Sequence, residues 1–181
     1  LHQEARRQRQ MCIRDRLYDN LMDSNSLFLT GNTDTIYAVG LLDLKRDGPT
    51  VVEIPAGAGP GTVNDAFFRF VVDMGSPGPD KGKGGKYLIL PPGYDGPVPD
   101  DYFVAESSTY INWLPLRGFL VDGKTDAAVK MWRDNLKIYP LSEKENPTAL
   151  EVVSGTGKYM NTIHALSLIH ISEPTRLQCI S

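Results

Sequence analysis

The sequence predicts a mainly β protein, a β-sandwich with one appended α-helix. Short apolar segments rich in β-branched and aromatic residues recur along the chain, and stretches rich in Gly and Pro separate them. Only residues 125–136 place apolar side chains at helical spacing over several turns. Many short strands with few helices are typical of two packed sheets.

The first predicted strand, Thr35–Leu44, is the stretch around which the chain is organised. Both of its alternating sets of side chains are apolar, with Tyr37 in one set and Ile36 in the other. A strand with this pattern is covered on both faces, which favours a central place in a sheet. A short helix ending near Asp23 is predicted before it, and Gly31-Asn32 predicts the turn that leads into it.

The next two strands are predicted from their composition and their turns. Asp47-Gly48 separates the first strand from the β-branched run Thr50–Ile54, which favours a β-hairpin. Ala56–Gly61 is predicted to be a glycine-rich loop. Ala66–Val72 is predicted to be a third strand, on which Arg69 alternates with bulky apolar residues.

Loops and short strands continue as far as the helix. Ser76–Lys86 is predicted to be a solvated, mobile loop, and it lacks the Gly-Lys-Ser/Thr spacing of a phosphate-binding loop. Further strands are predicted at Tyr87–Leu90, Tyr102–Glu106 and Ile111–Val121. Pro115 favours an edge or bulged position for the last of these. The helix is predicted to take Thr125 as its N-cap and to stop at Pro140. Its apolar face consists of Val129, Trp132 and Leu136.

Composition narrows the class of function. The chain has 181 residues, of which 41% are hydrophobic and 23% charged, as in an ordinary globular protein. The formal charge of −3 offers no basic face, so we expect no nucleic-acid partner. No run of 18 apolar residues occurs, so we expect no transmembrane segment.

The two ends differ from the rest of the chain. Residues 1–16 and 166–181 contain MCIRDR and SLIHISEPTR, which resemble translated sequencing-adapter DNA at the ends of a metagenomic fragment. We expect both to be non-native segments that carry no fold. Both cysteines and two of the three histidines lie in them, so no zinc site is expected. Residues 17–165 hold 13 basic and 19 acidic residues, a net charge of −6.

The middle of the chain resembles a known family. The segments NTDTIY, GPTVVEIP, FFRFVVDMG, GPDKGKGGKYLILPPGY and TYINWLPLRGFLVDG are similar, in this order, to the bacterial family catalogued as domain of unknown function 1254. The resemblance and the strand spacing together imply an immunoglobulin-like sandwich within residues 17–150. The resemblance also implies that residues 151–165 begin a further, jelly-roll-like domain of family 1214. The family resemblance makes the bacterial periplasm or the extracellular space the candidate location.

Two arginines in apolar strands suggest a polar site. Arg69 and Arg117 each stand among bulky apolar residues, and a buried guanidinium needs a partner because unpaired burial is costly. On a straight strand Asp65 and Asp73 lie about 13 Å from Arg69 on either side. Its partner is therefore expected on another strand, as Asp34 or Asp43, or at the end of its own strand, where Asp73 can lie among the loops. We predict one ligand-binding site at an end or inner face of the sandwich, formed by Asn32, Asp34, Tyr37, Arg69, Asp73 and Arg117.

A purely structural role stays open as the alternative for each of these features. The polar cluster at residues 32–35 is also typical of an Asx-type turn that satisfies its own backbone. The two arginines could belong to structural ion pairs. A set of aromatics could form a stacking surface for a sugar or an apolar ligand, or could simply pack in the core. This set is Tyr87, Tyr94, Tyr102, Tyr110 and Trp113.

These observations favour a β-sandwich that binds a small molecule or an anionic ligand, without a cofactor or a metal. The alternative is part of a hydrolase whose active site a following domain completes. No G-x-S-x-G motif occurs, and a Ser-His-Asp arrangement would have to use His164. The sequence does not decide whether the chain is part of an enzyme.

Overall fold

Ten strands form two sheets in the computed structural model, which describes residues 16–22, 31–150 and 152–157. The strands are β1 (Arg16–Leu17), β2 (Thr35–Asp43), β3 (Thr50–Ile54), β4 (Gly61–Asp65), β5 (Phe70–Met74), β6 (Gly85–Leu90), β7 (Phe103–Glu106), β8 (Ile111–Phe119), β9 (Lys137–Pro140) and β10 (Val153–Ser154). The helices are α1 (Leu44–Asp47), α2 (Asp126–Asn135) and a 3₁₀ turn (Leu141–Glu143).

The six-stranded sheet has the order β10-β1-β2-β8-β4-β5, and the four-stranded sheet the order β7-β6-β3-β9. β2 and β8 pair antiparallel over nine residues, from Thr35 opposite Phe119 to Asp43 opposite Ile111. The predicted mainly β fold is therefore confirmed, with two sheets as in a sandwich. The immunoglobulin-like architecture stays a prediction.

The main core contains residues of both sheets and of α2. Ile36 of β2 and Leu114 of β8 belong to the same buried cluster as Val52 of β3, Ile89 of β6 and Trp132 of α2. All five side chains are at most 1% exposed. This cluster defines the inner face of each sheet. Each outer face carries a smaller aromatic cluster of its own.

The outer face of the six-stranded sheet follows from the alternation of β2. Tyr37 and Val39, one residue out of phase with Ile36, pack with Tyr18 and Trp113 in a second buried cluster. The prediction that this strand is covered on both faces is confirmed. It is the outer face that carries the candidate site.

The predicted hairpin between the first two long strands is wrong. β2 belongs to the six-stranded sheet and β3 to the four-stranded sheet. The side chain of Asp43 accepts a hydrogen bond from the Arg46 N–H at 3.1 Å and so caps α1. Gly48, at φ 69°, then redirects the chain. A capped helical turn replaces the two-residue turn that Asp47-Gly48 suggested.

The predicted strand at Ala66–Val72 is also wrong in its bounds. The segment 66–69 lies in a turn between β4 and β5, and Phe68 adopts a positive φ of 60°. Asp65 holds this turn, because its carboxylate accepts the backbone N–H of Phe67 at 2.8 Å and of Arg69 at 2.9 Å. β4 itself was not predicted.

β8 is a central strand, contrary to the edge position that Pro115 suggested. It lies between β2 and β4. Its pairing with β4 includes Gly61 opposite Leu116 and resumes at Asn64 opposite Trp113. The ladder is interrupted where Pro115, which has no N–H, faces β4.

The predicted helix is confirmed as α2, with its ends corrected. Thr125 occupies the N-cap position, but its side chain makes no capping bond and donates instead to the Asp19 carbonyl at 3.4 Å. Trp132 is fully buried on the side facing the sheets. The helix ends at Asn135 and passes directly into β9, so Pro140 ends a strand and not the helix.

The chain termini lie partly outside the described residues. Where a helix was expected before Asp23, the described residues 16–22 contain β1 and no helix. Arg16, assigned above to the non-native segment, pairs through β1 with Val39. β10, in the stretch expected to begin a further domain, pairs in parallel with β1. Residues 1–15 and 158–181 lie outside the description, so their expected lack of fold stays a prediction.

Candidate functional site

The polar cluster before β2 is an Asx-type turn. The side-chain oxygen of Asn32 accepts the N–H groups of Asp34 and Thr35 at 3.0 Å, together with the Thr35 hydroxyl at 2.9 Å. The Asn32 N–H donates to the Tyr37 hydroxyl at 3.1 Å. Asp34 is exposed. Asn32 therefore fixes the turn and the position of the Tyr37 ring.

Arg69 does not pair with Asp34, Asp43 or Asp73. Its Nε lies 2.7 Å from Oδ2 of Asp65, four residues earlier, because the turn folds the two together. The straight-strand separation of about 13 Å therefore does not apply. The Arg69 side chain is 62% exposed, so the expectation that it lies near a core is also wrong.

Asp65 is the centre of a separate hydrogen-bond network. Its carboxylate also accepts the Ser108 hydroxyl at 2.7 Å, and the residue is 1% exposed. Burial acts to raise the pKa of this carboxyl, but the hydrogen bonds from Ser108, Arg69 and Phe67 favour its charged form and outweigh burial. The pKa of Asp65 therefore lies below its usual value. Sequence reasoning missed this residue because only the turn makes it a partner of Arg69.

Three of the six predicted residues do meet. Tyr37, Asp73 and Arg117 line one pocket of about 280 Å³ on the outer face of the six-stranded sheet. The remaining lining residues are Pro60, Gly61, Thr62, Pro77, Trp113 and Pro115. Of these the sequence indicated Trp113 alone, as one of the aromatics that could stack on a ligand. Asn32, Asp34 and Arg69 are not among the residues that line it.

Sheet register explains why these side chains share a face. Tyr37 of β2 is directly opposite Arg117 of β8, and Thr62 of β4 is directly opposite Asp73 of β5. Directly opposed residues of an antiparallel pair point to the same side of the sheet. Alternation along β8 adds Trp113 to that side. Four strands thus contribute to one surface.

Arg117 is held against apolar neighbours. Its guanidinium carbon lies 5.6 Å from the centre of the Tyr37 ring, a cation–π arrangement. Its carbonyl accepts the Gly59 N–H at 2.9 Å, and a Cβ on Gly59 would come within 2.7 Å of that carbonyl oxygen. A glycine at this position lets the segment leading to Pro60 run close beside β8.

The two charges in the pocket have no ionic partner within the part of the chain that the structure describes. The contact of Arg117 there is with the Tyr37 ring, and no carboxylate lies within ion-pair distance of its guanidinium. The half-buried carboxylate of Asp73 likewise accepts no hydrogen bond there. A guanidinium over an aromatic ring can bind a carboxylate or a phosphate, since it presents five donors.

A structured loop forms one wall of the pocket. Asp80, 4% exposed, accepts the N–H of Gly75 at 2.8 Å and of Gly84 at 3.1 Å, as well as the Tyr87 hydroxyl. Burial and this hydrogen bond raise the pKa of Tyr87 above its usual range. The loop that carries Pro77 is therefore held from within. Its lysines, Lys81, Lys83 and Lys86, are exposed, as expected for a solvated loop, and its mobility stays a prediction.

The five aromatics do not form the shared stacking surface that was one of their two open interpretations. Tyr87 lies in the core between the sheets, and Tyr94 and Tyr102 pack on the outer face of the four-stranded sheet. Tyr110 is 45% exposed, and Trp113 lies on the outer face of the other sheet. The five rings serve different layers and cannot stack on one ligand.

The described residues contain no group of three His, Cys, Asp or Glu side chains that could hold a metal ion. No helix among them is both long enough and apolar enough to cross a membrane.

Comparison with known proteins supports the resemblance seen in the sequence. The model of a family described as "Protein of unknown function (DUF1254)" matches residues 15–140. No curated protein matches the chain. Among solved structures, the VPA0106 protein from Vibrio parahaemolyticus is similar, with a TM-score of 0.55 and 23% sequence identity. The match covers 69% of this chain and 32% of that one, so the chain spans about a third of that protein's length. This likeness bears on the fold alone.

Proposed function

This chain belongs to the family described as protein of unknown function (DUF1254), and we propose that it is a binding module for a small ligand with an anionic group. The ligand occupies the pocket on the outer face of the six-stranded sheet. Arg117 binds its anionic group, and Trp113 and the proline rings of the lining contact its apolar part, while the buried Tyr37 ring lies beneath the guanidinium. The placement of a guanidinium among apolar side chains, with no carboxylate in ion-pair distance among the described residues, carries this proposal.

The energetic argument concerns solvation. A guanidinium packed on an aromatic ring is less well hydrated than one in open water, so an anion that replaces the lost water interactions gains more there. A charge-assisted hydrogen bond of this kind contributes about 1.5–3 kcal/mol. Arg117 can form two such bonds with one carboxylate in the bidentate geometry.

The size of the pocket limits the ligand. A volume of about 280 Å³ lies just below the usual range for small-molecule sites, about 300–1,000 Å³. The lining includes three prolines, Pro60, Pro77 and Pro115, whose rings restrict the backbone around the site. The walls are therefore preorganised, which lowers the cost of binding. A ligand the size of a single aromatic or aliphatic acid suits this space.

Isothermal titration calorimetry tests the proposal with a panel of small aromatic and aliphatic carboxylates, each with and without an amino group. We expect at least one to bind the wild-type chain. Arg117→Gln should lower the affinity for it at least tenfold, because about 1.4 kcal/mol corresponds to a factor of ten. The variant should keep its melting temperature, since the guanidinium forms no ion pair among the described residues.

The matched control is Lys130→Gln. Lys130 is an exposed cation on α2, paired with Asp134 and outside the pocket. Lys130→Gln removes the same formal charge as Arg117→Gln. Comparing the two variants therefore distinguishes the loss of a local contact with the ligand from the change in the net charge of the protein. Equal affinities for Arg117→Gln and wild type, or no binding across the whole panel, would contradict the proposal.

A further inference from the structure

We infer that the pocket selects a zwitterion, a small molecule with a carboxylate and an ammonium group a few ångströms apart, as in an α-amino acid. This inference rests on the proposed function and adds the second charge of the ligand. The geometry points to Asp73 as the acceptor of the ammonium group, with Arg117 as the donor to the carboxylate.

The position of Asp73 follows from the register of three strands. Asp73 of β5 is opposite Thr62 of β4, and β4 is the neighbour of β8, which carries Arg117. Neighbouring strands lie about 4.8 Å apart, so β5 and β8 are separated by about 10 Å. Two strand spacings are too far for a direct contact between backbones, and the two side chains form no ion pair across this gap.

The direction of the Arg117 side chain widens the gap. Its guanidinium lies over Tyr37 of β2, on the side of β8 away from β5. Opposite charges therefore line one pocket without neutralising each other. An ammonium and a carboxylate on adjacent atoms of a ligand, with a hydrogen bond of about 2.8 Å at each end, span about 9 Å, so the Asp73 and Arg117 side chains must both lean into the pocket to hold one zwitterion.

A single zwitterionic ligand would provide an opposite charge for both side chains. Asp73 is half-buried and its carboxylate has no hydrogen-bond or ion-pair partner in the described part of the chain, so its oxygens are available to an ammonium group. A simple anion would satisfy Arg117 but would be repelled by Asp73. A simple amine would satisfy Asp73 but would be repelled by Arg117. Only a ligand with both charges compensates both side chains.

The apolar part of the ligand has a place beside the charges. Pro115 and Trp113 lie on the same face of β8 as Arg117 and line the same pocket. Tyr37 and Trp113 belong to one buried cluster, so the floor of the pocket is rigid and aromatic. A zwitterion with an aromatic or aliphatic side chain is therefore the best match.

Three probes of the same framework test this inference by calorimetry: L-phenylalanine, 3-phenylpropanoate and phenethylamine. The second lacks the ammonium group, and the third lacks the carboxylate. We expect the wild-type chain to bind phenylalanine at least tenfold more tightly than either of the others. Asp73→Asn should weaken phenylalanine binding at least tenfold, while binding of 3-phenylpropanoate stays the same or becomes tighter.

Asp134→Asn is the control for Asp73→Asn, because it removes an acid from the exposed face of α2. It should leave all three affinities unchanged. Circular dichroism and melting temperature verify that each variant is folded.

The outcomes separate this inference from the proposed function. If 3-phenylpropanoate binds as tightly as phenylalanine and both depend on Arg117, the pocket binds anions but does not select zwitterions, and this inference is wrong. If Asp73→Asn tightens phenylalanine binding, Asp73 competes with the ligand for Arg117, and the inference is also wrong. If no probe binds in an Arg117-dependent way, the proposed function fails together with it.

Discussion

Replacing Asp65 by Asn should destabilise the protein, and the size of the effect follows from its contacts. The carboxylate is 1% exposed and accepts two backbone N–H groups, the Ser108 hydroxyl and the Arg69 guanidinium. Asn keeps one acceptor oxygen but presents an NH₂ group to the Ser108 and Arg69 donors. Each hydrogen bond to a charged group contributes about 1.5–3 kcal/mol. Because Arg69 is largely exposed, its share is small, and we expect a loss of about 2–4 kcal/mol.

The same contacts predict how stability depends on pH. The pKa of Asp65 is lowered in the folded chain, against burial, by its hydrogen bonds. A group with a lowered pKa stabilises the fold above its unfolded pKa, about 3.9 for Asp, and this contribution is lost as the pH falls through the folded pKa. The free-energy difference between wild type and Asp65→Asn should therefore be full near pH 7 and should shrink below about pH 4.

Urea unfolding at several pH values measures both effects. Asp134→Asn serves as the reference, because its partner Lys130 is 80% exposed and such surface pairs contribute about 0.2–1 kcal/mol. An equal loss in the free energy of unfolding at pH 7 for Asp65→Asn and Asp134→Asn would refute the reasoning. So would a difference between wild type and Asp65→Asn that does not change in acid.

Further predictions concern the pocket wall and the helix contact. Asp80→Asn should lower the free energy of unfolding in urea by about 2 kcal/mol and should weaken ligand binding. The reason is that Asp80 accepts the Tyr87 hydroxyl and two backbone N–H groups of the pocket wall. An unchanged free energy of unfolding would contradict this. Gly118→Ala should lower the melting temperature, at a cost of about 1–3 kcal/mol, because its Cβ would lie 2.8 Å from Nε1 of Trp132 and 3.0 Å from Cβ of Ala128. An unchanged melting temperature would mean that α2 shifts without cost.

Long apolar strands could be predicted from the sequence because their pattern is local. Thr35–Asp43 has two apolar faces and no Gly or Pro pair to interrupt it, and the structure confirms it as β2. β4 was missed because Thr62 and Asn64 make its outer face polar and its first residue, Gly61, belongs to a glycine-rich run. Its inner face has three buried positions, of which only Val63 is a large apolar residue, too few for a pattern.

The turn at Asp65 could not be predicted from alternation. A side chain that accepts its own downstream N–H groups reverses the chain and brings Asp65 and Arg69 together. Alternation alone places the same two residues apart on a straight strand. This one local hydrogen-bond pattern accounts for both the wrong strand bounds and the wrong partner for Arg69.

The candidate site could be predicted in part. Tyr37, Asp73 and Arg117 were selected as polar residues in strand contexts, and the structure brings them to one pocket. Selecting these three residues did not require knowledge of the strand order. Predicting the other lining residues requires it, because Pro60 and Thr62 reach the pocket only through the non-local strand order β2-β8-β4-β5. Long-range pairing of this kind leaves no local signal.

Fluorine NMR of the chain labelled with 5-fluorotryptophan tests the central claim most directly, because the sequence has two tryptophans. Trp113 lines the pocket, whereas Trp132 is buried in the core between α2 and the sheets. On titration with L-phenylalanine, we predict a saturable shift of the Trp113 resonance, no shift of the Trp132 resonance, and a midpoint at least tenfold higher in Arg117→Gln. A Trp113 resonance that does not move while calorimetry detects binding, or an Arg117→Gln titration with the wild-type midpoint, would place the ligand elsewhere and contradict the account.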